Sequence, residues 1–309
     1  MTRTFLGSLN SGLRAIAIGL VLVASGVSAD QGPQPLVAES YRLPISAARD
    51  QGDSDLCWVF ATLNMLESNY LARHPQSRIE LSRALVQRVS IADRFRRSIT
   101  GDSHHLEDGG VAVDALSLIR QHGLVAEKDF HPVVESAPVW GHVAKVISQA
   151  PNEADKLNAL KSAVASELGA TPERTELDGH ELTPKQFAEA VLGDNVWTEY
   201  DVTRDGPRRI GPSRDPDARP ETRVHYVDLP TAVDLIHKSL AQGQAVVWSS
   251  NENHALLIYG ADYDAEGRAL AYWVKDSFPP YTYRAPAAKI HAELTDVTVA
   301  VSPTEEALN

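Results

Sequence analysis

Residues 50–61 read Asp50-Gln51-Gly52-Asp53-Ser54-Asp55-Leu56-Cys57-Trp58-Val59-Phe60-Ala61. Cys57 is the only cysteine of the 309 residues, and it stands where a loop becomes a helix. Gly52 loosens the loop. Ser54 or Asp55 is placed to cap the helix by accepting from a free backbone N–H. Beyond Cys57, the residues Phe60, Leu63, Leu66, Tyr70 and Leu71 recur at helical spacing, with Trp58, Val59 and Met65 widening the apolar surface. This spacing predicts a helix buried on most sides. A thiol in its first turn meets the positive end of the macrodipole, which favours the reactive thiolate. Most lone cysteines are small buried hydrophobes. One that opens a helix, with a Gln amide six positions upstream, has the setting of a nucleophile.

A partner for the thiol lies far downstream. Asn253-His254-Ala255-Leu256-Leu257-Ile258-Tyr259-Gly260 begins one strand, and Ala271-Tyr272-Trp273-Val274-Lys275-Asp276-Ser277-Phe278 lies on the next. A hairpin turning at Ala265-Glu266-Gly267 sets the start of the first beside the end of the second. His254 and Asp276 then become neighbours, which raises His254 from a surface residue to a candidate base oriented by an acid.

These motifs resemble the papain-like cysteine peptidases: a Gln, a Cys-Trp at a helix start with Phe60 and Ala61 behind it, and a later His-strand motif. The bleomycin hydrolase and aminopeptidase C branch is nearer, since it has a Ser three residues before the nucleophile, as Ser54 is here. Asp108-Gly109-Gly110 before a helix, and the turn Gly123-Leu124-Val125-Ala126 after it, have counterparts in that branch. Leu168-Gly169-Ala170-Thr171-Pro172 and Leu182-Thr183-Pro184-Lys185-Gln186-Phe187 resemble its helical part between the catalytic halves.

The resemblance implies an α+β, two-lobed papain-like fold. An N-terminal helical lobe carries the Cys, a C-terminal antiparallel β lobe carries the His and Asp, and the active-site cleft lies between them. It implies that Cys57, His254, Asp276 and Gln51 are catalytic, with Gln51 and the Cys57 backbone N–H holding an oxyanion. Gly109, Gly110, Trp58 and Phe278 would contact substrate, Gly110 by hydrogen bonds to the peptide, while Phe278 would shield the His–Asp pair. The implied activity is peptide hydrolysis. A silent peptide-binding protein and another Cys-His-Asp acyl transfer, such as transamidation, are the alternatives. Asp55 stands where the family usually has Gly. Asp276 replaces Asn, Phe278 replaces Trp, and Pro279 replaces the following Gly. A carboxylate accepts the same imidazole N–H as the amide and also stabilises the imidazolium, so Asp276 is expected to raise the His254 pKa.

Residues 1–29 read as a signal peptide: Arg3 and Arg14, an apolar run from Ala15 to Val23, and the small-residue site Val27-Ser28-Ala29. The apolar run is short for a transmembrane helix, so the expectation is a secreted or periplasmic protein with no stable membrane insertion after cleavage. Cleavage leaves 27 basic against 41 acidic residues, a net charge of −14. That balance argues against nucleic acid or an anionic membrane as partner and leaves a peptide or protein substrate. The reaction calls for no cofactor and no metal ion. His104-His105 lacks a third ligand at metal-binding spacing and reads as a solvated loop. Nothing in the sequence fixes an oligomeric state.

Residues 30–309 are expected to form one peptidase domain. Its helical lobe spans about 45–200, with a helical insertion at 138–200, and its β lobe spans about 224–301. Only about 20 residues separate the cleavage site from Asp50, too few for a papain-type inhibitory pro-segment. Ser82 is expected to cap a second helix, and Gly123 to close the helix that follows Asp108-Gly109-Gly110. The Arg-rich stretch 205–223 reads as a mobile surface loop, and Thr231 as the cap of a helix ending at Gly243.

Overall fold

The computed structural model describes residues 36–102, 106–130, 135–203, 209–213, 219 and 222–301. The signal-peptide reading, His104-His105, much of the Arg-rich stretch and the C-terminal tail lie outside the described residues. The chain forms β1 (Glu39–Arg42), then the helices α1 (Cys57–Arg73), α2 (Arg83–Thr100), α3 (Ala112–His122), α4 (Ser136–Ser148) and α5 (Glu153–Leu168). A short hairpin, β2 (Thr175–Leu177) and β3 (His180–Leu182), precedes α6 (Pro184–Leu192). Then come β4 (Val196–Val202), β5 (Arg209–Pro212), β6 (Arg223–Val227) and α7 (Leu229–Ala241). The chain continues with β7 (Val246–Ser250), β8 (His254–Tyr263), β9 (Ala269–Ser277), β10 (Pro280–Pro286), α8 (Ala287–Glu293) and β11 (Leu294–Val301).

α1 is the centre of the packing. Every residue from Trp58 to Tyr70 is buried, so it has no solvent face. Its polar side chains must therefore find partners inside the protein. Thr62 donates to the Trp58 carbonyl, Ser68 to the Pro44 carbonyl, and Asn69 accepts from the Ala245 N–H at 2.7 Å. Glu67 accepts from the Leu81 N–H at 2.8 Å and forms an ion pair with Arg83 at 2.6 Å. The Arg83 guanidinium also reaches Asn64 at 2.8 Å. One helix thus binds the N-terminal strap, the start of α2 and the start of β7.

β8, β7 and β9 pack on α1. They belong to one sheet ordered β10-β9-β8-β7-β11-β4-β6-β5, with β1 also pairing with β8. All pairings are antiparallel except β4 with β6. A second apolar cluster, which includes Phe95, Val143, Leu160 and Val164, joins the outer face of α2 to α4 and α5. α4 and α5 therefore share a small core with α2.

Several local expectations hold. Ser82 caps α2 by accepting from the Leu85 N–H, and Gly123 closes α3 with a φ of 89°, a conformation that costs glycine little. Others need correction. The residue before α1 is Leu56, with no side-chain cap. Ser54 turns back and donates to the Gln51 carbonyl at 2.6 Å. Residues 196–200, expected to be helical, lie in β4, because the β-branched and aromatic run Val196-Trp197-Thr198 pairs along β11. Residues 175–182 form the β2–β3 hairpin. Within the Arg-rich stretch, Arg209–Pro212 is a strand paired with β6 and not loop, and Arg219 is tied to Asp114 and Asp93. The α7 cap is Asp228, which accepts from the Thr231 N–H, because Leu229 and Pro230 already lie inside the helix. Glu293 ends α8, and β11 begins at Leu294.

Candidate active site

Cys57 is the first residue of α1, half-buried, at the floor of a cleft of about 630 Å³. The first backbone N–H groups of a helix have no intrahelical acceptor. With no side-chain cap and no acidic residue in the first turn, the Cys57 N–H is left to the cleft, while the Val59 and Phe60 N–H groups donate to the Leu56 carbonyl at 2.9 and 3.0 Å.

His254 opens β8 opposite Ser250, after a turn in which Asn253 takes a φ of 57°, which Asn tolerates better than most residues. The β8–β9 register sets Leu257 opposite Lys275 and brings Asp276 to the histidine. The His254 Nε2 lies 2.7 Å from Asp276 Oδ1. That leaves Nδ1 as the nitrogen able to face Cys57, which lines the same cleft and interacts electrostatically with His254. Burial pulls the His254 pKa down. Hydrogen bonds to Asp276 and Cys57, reinforced by their charges, outweigh it and push the pKa up to about 9. Asp276 is buried, and its Oδ1 also accepts the Phe278 backbone N–H at 2.9 Å.

Gln51 sits on the loop before α1 and is fixed from both sides. Its side-chain oxygen accepts from the Ser277 hydroxyl at 2.7 Å, and its amide nitrogen donates to the Ser54 carbonyl at 2.7 Å. An amide nitrogen carries two hydrogens, and Gln51 lines the cleft, so the second is available there. Ser277 was not singled out from the sequence. Its position directly after Asp276 was the only sign of its role.

The glycine pair forms the opposite wall. A Cβ on Gly110 would lie 2.9 Å from the Trp58 ring, so only glycine lets this backbone rest on the indole. Trp58 is itself buried, and its Nε1–H donates to the Asp108 carbonyl at 2.8 Å. It therefore holds the Asp108–Gly110 segment in place and presents little surface of its own to the cleft. The Gly109 carbonyl accepts from Arg94 of α2. Phe278 stands at the cleft rim, 54% exposed and next to a cis bond to Pro279.

Behind the site, Lys275 of β9 is buried and donates to Ser46 at 2.9 Å, and Ser46 in turn donates to Glu67. The residue beside Asp276 is thereby linked to the helix that carries Cys57. Burial lowers the Lys275 pKa to about 8, although the Glu67 charge opposes this. Among the described residues no group of His, Cys, Asp and Glu side chains could hold a metal ion, and no helix is long and apolar enough to cross a membrane.

No family model matches the chain, and no curated protein matches it. Solved structures do. PepW from Lactobacillus rhamnosis HN001 is similar at a TM-score of 0.65 and 18% identity, over 86% of this chain and 82% of that one. Procathepsin L 3 of the Tenebrio molitor larval midgut gives a TM-score of 0.43 at 14% identity, over 89% and 72% of the two chains. The bromelain protease from Ananas comosus, solved with the E64 inhibitor, gives 0.40 at 12%, over 84% and 94%. These last two scores are too low to carry an argument, and at such identities the likeness to PepW speaks of fold only. With a buried helix that starts at Cys57, packed on an antiparallel sheet that carries His254 and Asp276, the chain has the α+β papain-like fold.

Proposed function

We propose that the chain is an exported cysteine peptidase, related in design to the bleomycin hydrolase and aminopeptidase C branch. The observation that carries this reading is the placement of His254 between Cys57 and Asp276 in an open cleft. A histidine held between an acid and a thiol supports a thiolate–imidazolium pair.

In the proposed reaction the Cys57 sulfur attacks the carbonyl carbon of a peptide bond and a C–S bond forms. The oxygen gains negative charge and accepts hydrogen bonds from the Cys57 backbone N–H and the Gln51 amide. One such donor lowers the barrier by about 3 kcal/mol. His254 passes its proton to the leaving nitrogen as the C–N bond breaks. Water then attacks the thioester, His254 accepts its proton, and the carboxylic acid leaves while Cys57 is regenerated. Asp276 keeps the imidazole in one tautomer and one tilt. The leader-like residues 1–29 support export before the enzyme acts.

The test combines a thiol-directed, mechanism-based inhibitor with a peptide library. Stoichiometric labelling of Cys57 and hydrolysis abolished by Cys57→Ala are expected. A natively folded protein that takes no label and cleaves no peptide would refute the reading and favour a silent peptide binder. Incorporation of added amines in place of hydrolysis would favour transamidation.

A further inference from the structure

We propose that Asp108 and Trp140 position the substrate. The Trp140 indole of α4 donates to the Asp108 carboxylate, and this bond holds the glycine wall of the cleft in place for a peptide. The inference rests on the peptidase reading above and adds to it a control on peptide binding. Neither residue lines the cleft, so both act through the wall, as positioning residues and not as catalytic ones.

Two consecutive glycines cannot fix their own backbone, because without a Cβ they are free to take most conformations. A wall built from Gly109 and Gly110 therefore takes its position from whatever ties it to the rest of the protein. Downstream it runs into α3, which begins at Ala112. Upstream it depends on Asp108, which two indole N–H groups grip from two helices. Trp58 Nε1, beside Cys57, donates to the Asp108 carbonyl at 2.8 Å, and Trp140 Nε1 donates to Asp108 Oδ1 at 3.0 Å. The first bond registers the wall on the helix of the nucleophile. The second registers it on α4. A bond from an N–H to a carboxylate is stronger than one between neutral groups.

Trp140 is seated firmly enough to serve as an anchor. Its ring packs on Phe95 of α2, with centroids 4.9 Å apart, beside the cluster that includes Val143 and Leu160. One turn earlier, the buried Ser136 accepts from Gln87 of α2 at 2.9 Å, which fixes the start of α4. Without the Trp140 bond the wall would be looser. A peptide would then have to order it on binding, and that cost comes out of affinity. The thiol, which neither residue touches, would keep its reactivity.

The test compares two kinds of reagent for Cys57 in the full-length protein. Iodoacetamide is too small to lie along the wall and reports on the thiol alone. A set of dipeptidyl chloromethyl ketones with varied side chains reports on the thiol and the wall together. Each labelling rate is divided by the rate of the same reagent with glutathione, and the fastest dipeptidyl reagent is compared with iodoacetamide. Trp140→Phe keeps a ring on Phe95 and removes the N–H, while Asp108→Ala removes the acceptor. Each should lower the dipeptidyl-to-iodoacetamide ratio about fivefold, the effect of one hydrogen bond, with the iodoacetamide rate unchanged. Asp108→Asn keeps an oxygen that can accept from Trp140 and should retain most of the ratio. The double variant Asp108→Ala, Trp140→Phe should lose little more than either change alone. Circular dichroism and thermal unfolding identify the variants that are natively folded, and the contrast of Asp108→Asn with Asp108→Ala decides the matter should Trp140→Phe not fold. An unchanged ratio in the folded variants, equal slowing of both reagents, or a wild type in which no dipeptidyl reagent outruns iodoacetamide would overturn this inference and leave the peptidase reading standing. A wild-type Cys57 that reacts with both kinds of reagent no faster than glutathione does would overturn the peptidase reading, and this inference with it.

Discussion

Gln51 and Ser277 hold each other by two hydrogen bonds. The Gln51 backbone N–H donates to the Ser277 carbonyl at 3.0 Å, and the Ser277 hydroxyl donates to the Gln51 side-chain oxygen at 2.7 Å. The loop that delivers Cys57 is thereby registered on the residue next to Asp276. The oxyanion donor and the acid of the proposed mechanism are set by one clasp.

That clasp gives the first prediction. Gln51→Ala should lower kcat about 10²–10³-fold, as loss of one oxyanion donor does, with little change in KM. Ser277→Ala leaves the amide present but unanchored, so its loss should be smaller, near the roughly fivefold that corresponds to one hydrogen bond of about 1 kcal/mol. Steady-state kinetics beside thermal unfolding will check both. A Gln51→Ala enzyme with normal kcat but a lower Tm would leave Gln51 a structural role only.

Asp276 should tolerate an amide better than a methyl group. Asp276→Asn keeps an acceptor for the His254 N–H and should retain appreciable activity, while Asp276→Ala should lose most of it. Equal losses from the two would show that orienting the imidazole is not what Asp276 does.

The His254 pKa, raised to about 9, makes a prediction on pH. A folded-state pKa above the ordinary 6.5 means that folding favours the protonated imidazole. Its stabilisation is complete below about 6.5 and is lost as pH rises through about 9. Activity should fall over the same alkaline range as the imidazolium proton is lost. The Asp276 charge supports that proton, so Asp276→Asn should move the alkaline limb to lower pH. A kcat/KM profile of the two enzymes decides this. An unmoved limb would assign the ionisation to another group.

Gly110→Ala should destabilise the fold by about 1–3 kcal/mol, the usual range for inserting a methyl group into a packed site. The obstacle is the Trp58 ring at 2.9 Å, itself buried at the start of α1. Urea denaturation measures the loss. Pairing the change with Trp58→Phe should relieve part of it, and additive losses would place the strain elsewhere.

The buried Glu67–Arg83 pair should respond as a unit. Burial alone would raise the Glu67 pKa, but the Arg83 charge and hydrogen bond prevail and lower it, so both groups are ionised. Glu67→Met or Arg83→Met alone leaves a buried charge without its partner and should cost about 3–5 kcal/mol. The double replacement should cost much less than the sum of the two. A double-mutant cycle with no coupling would show that the pair is not what holds α2 to α1.

The sequence was most readable where the signal is local. The helix behind Cys57 declares itself by dense apolar spacing, and the hairpin bearing His254 and Asp276 by two strands around one turn. β4 was not readable, because its partner β11 lies almost a hundred residues downstream and the run before it is helical. β5 was hidden by arginines, which neither alternate nor look apolar, although Gly211 and Pro212 still pair with β6. The α7 cap was misplaced because Pro230 fits the first turn of a helix, which moves the cap upstream to Asp228.

β1 pairs with β8, the strand that begins at His254, and only afterwards does the chain run through Pro44 and Ser46 to Cys57. Each half of the molecule thus holds a piece of the other's backbone. The protein is therefore not severable along its cleft. A fragment that begins at Cys57 would lack β1 and leave an open edge on the histidine strand, and a fragment that ends before β4 would leave Glu67 without the buried lysine of β9.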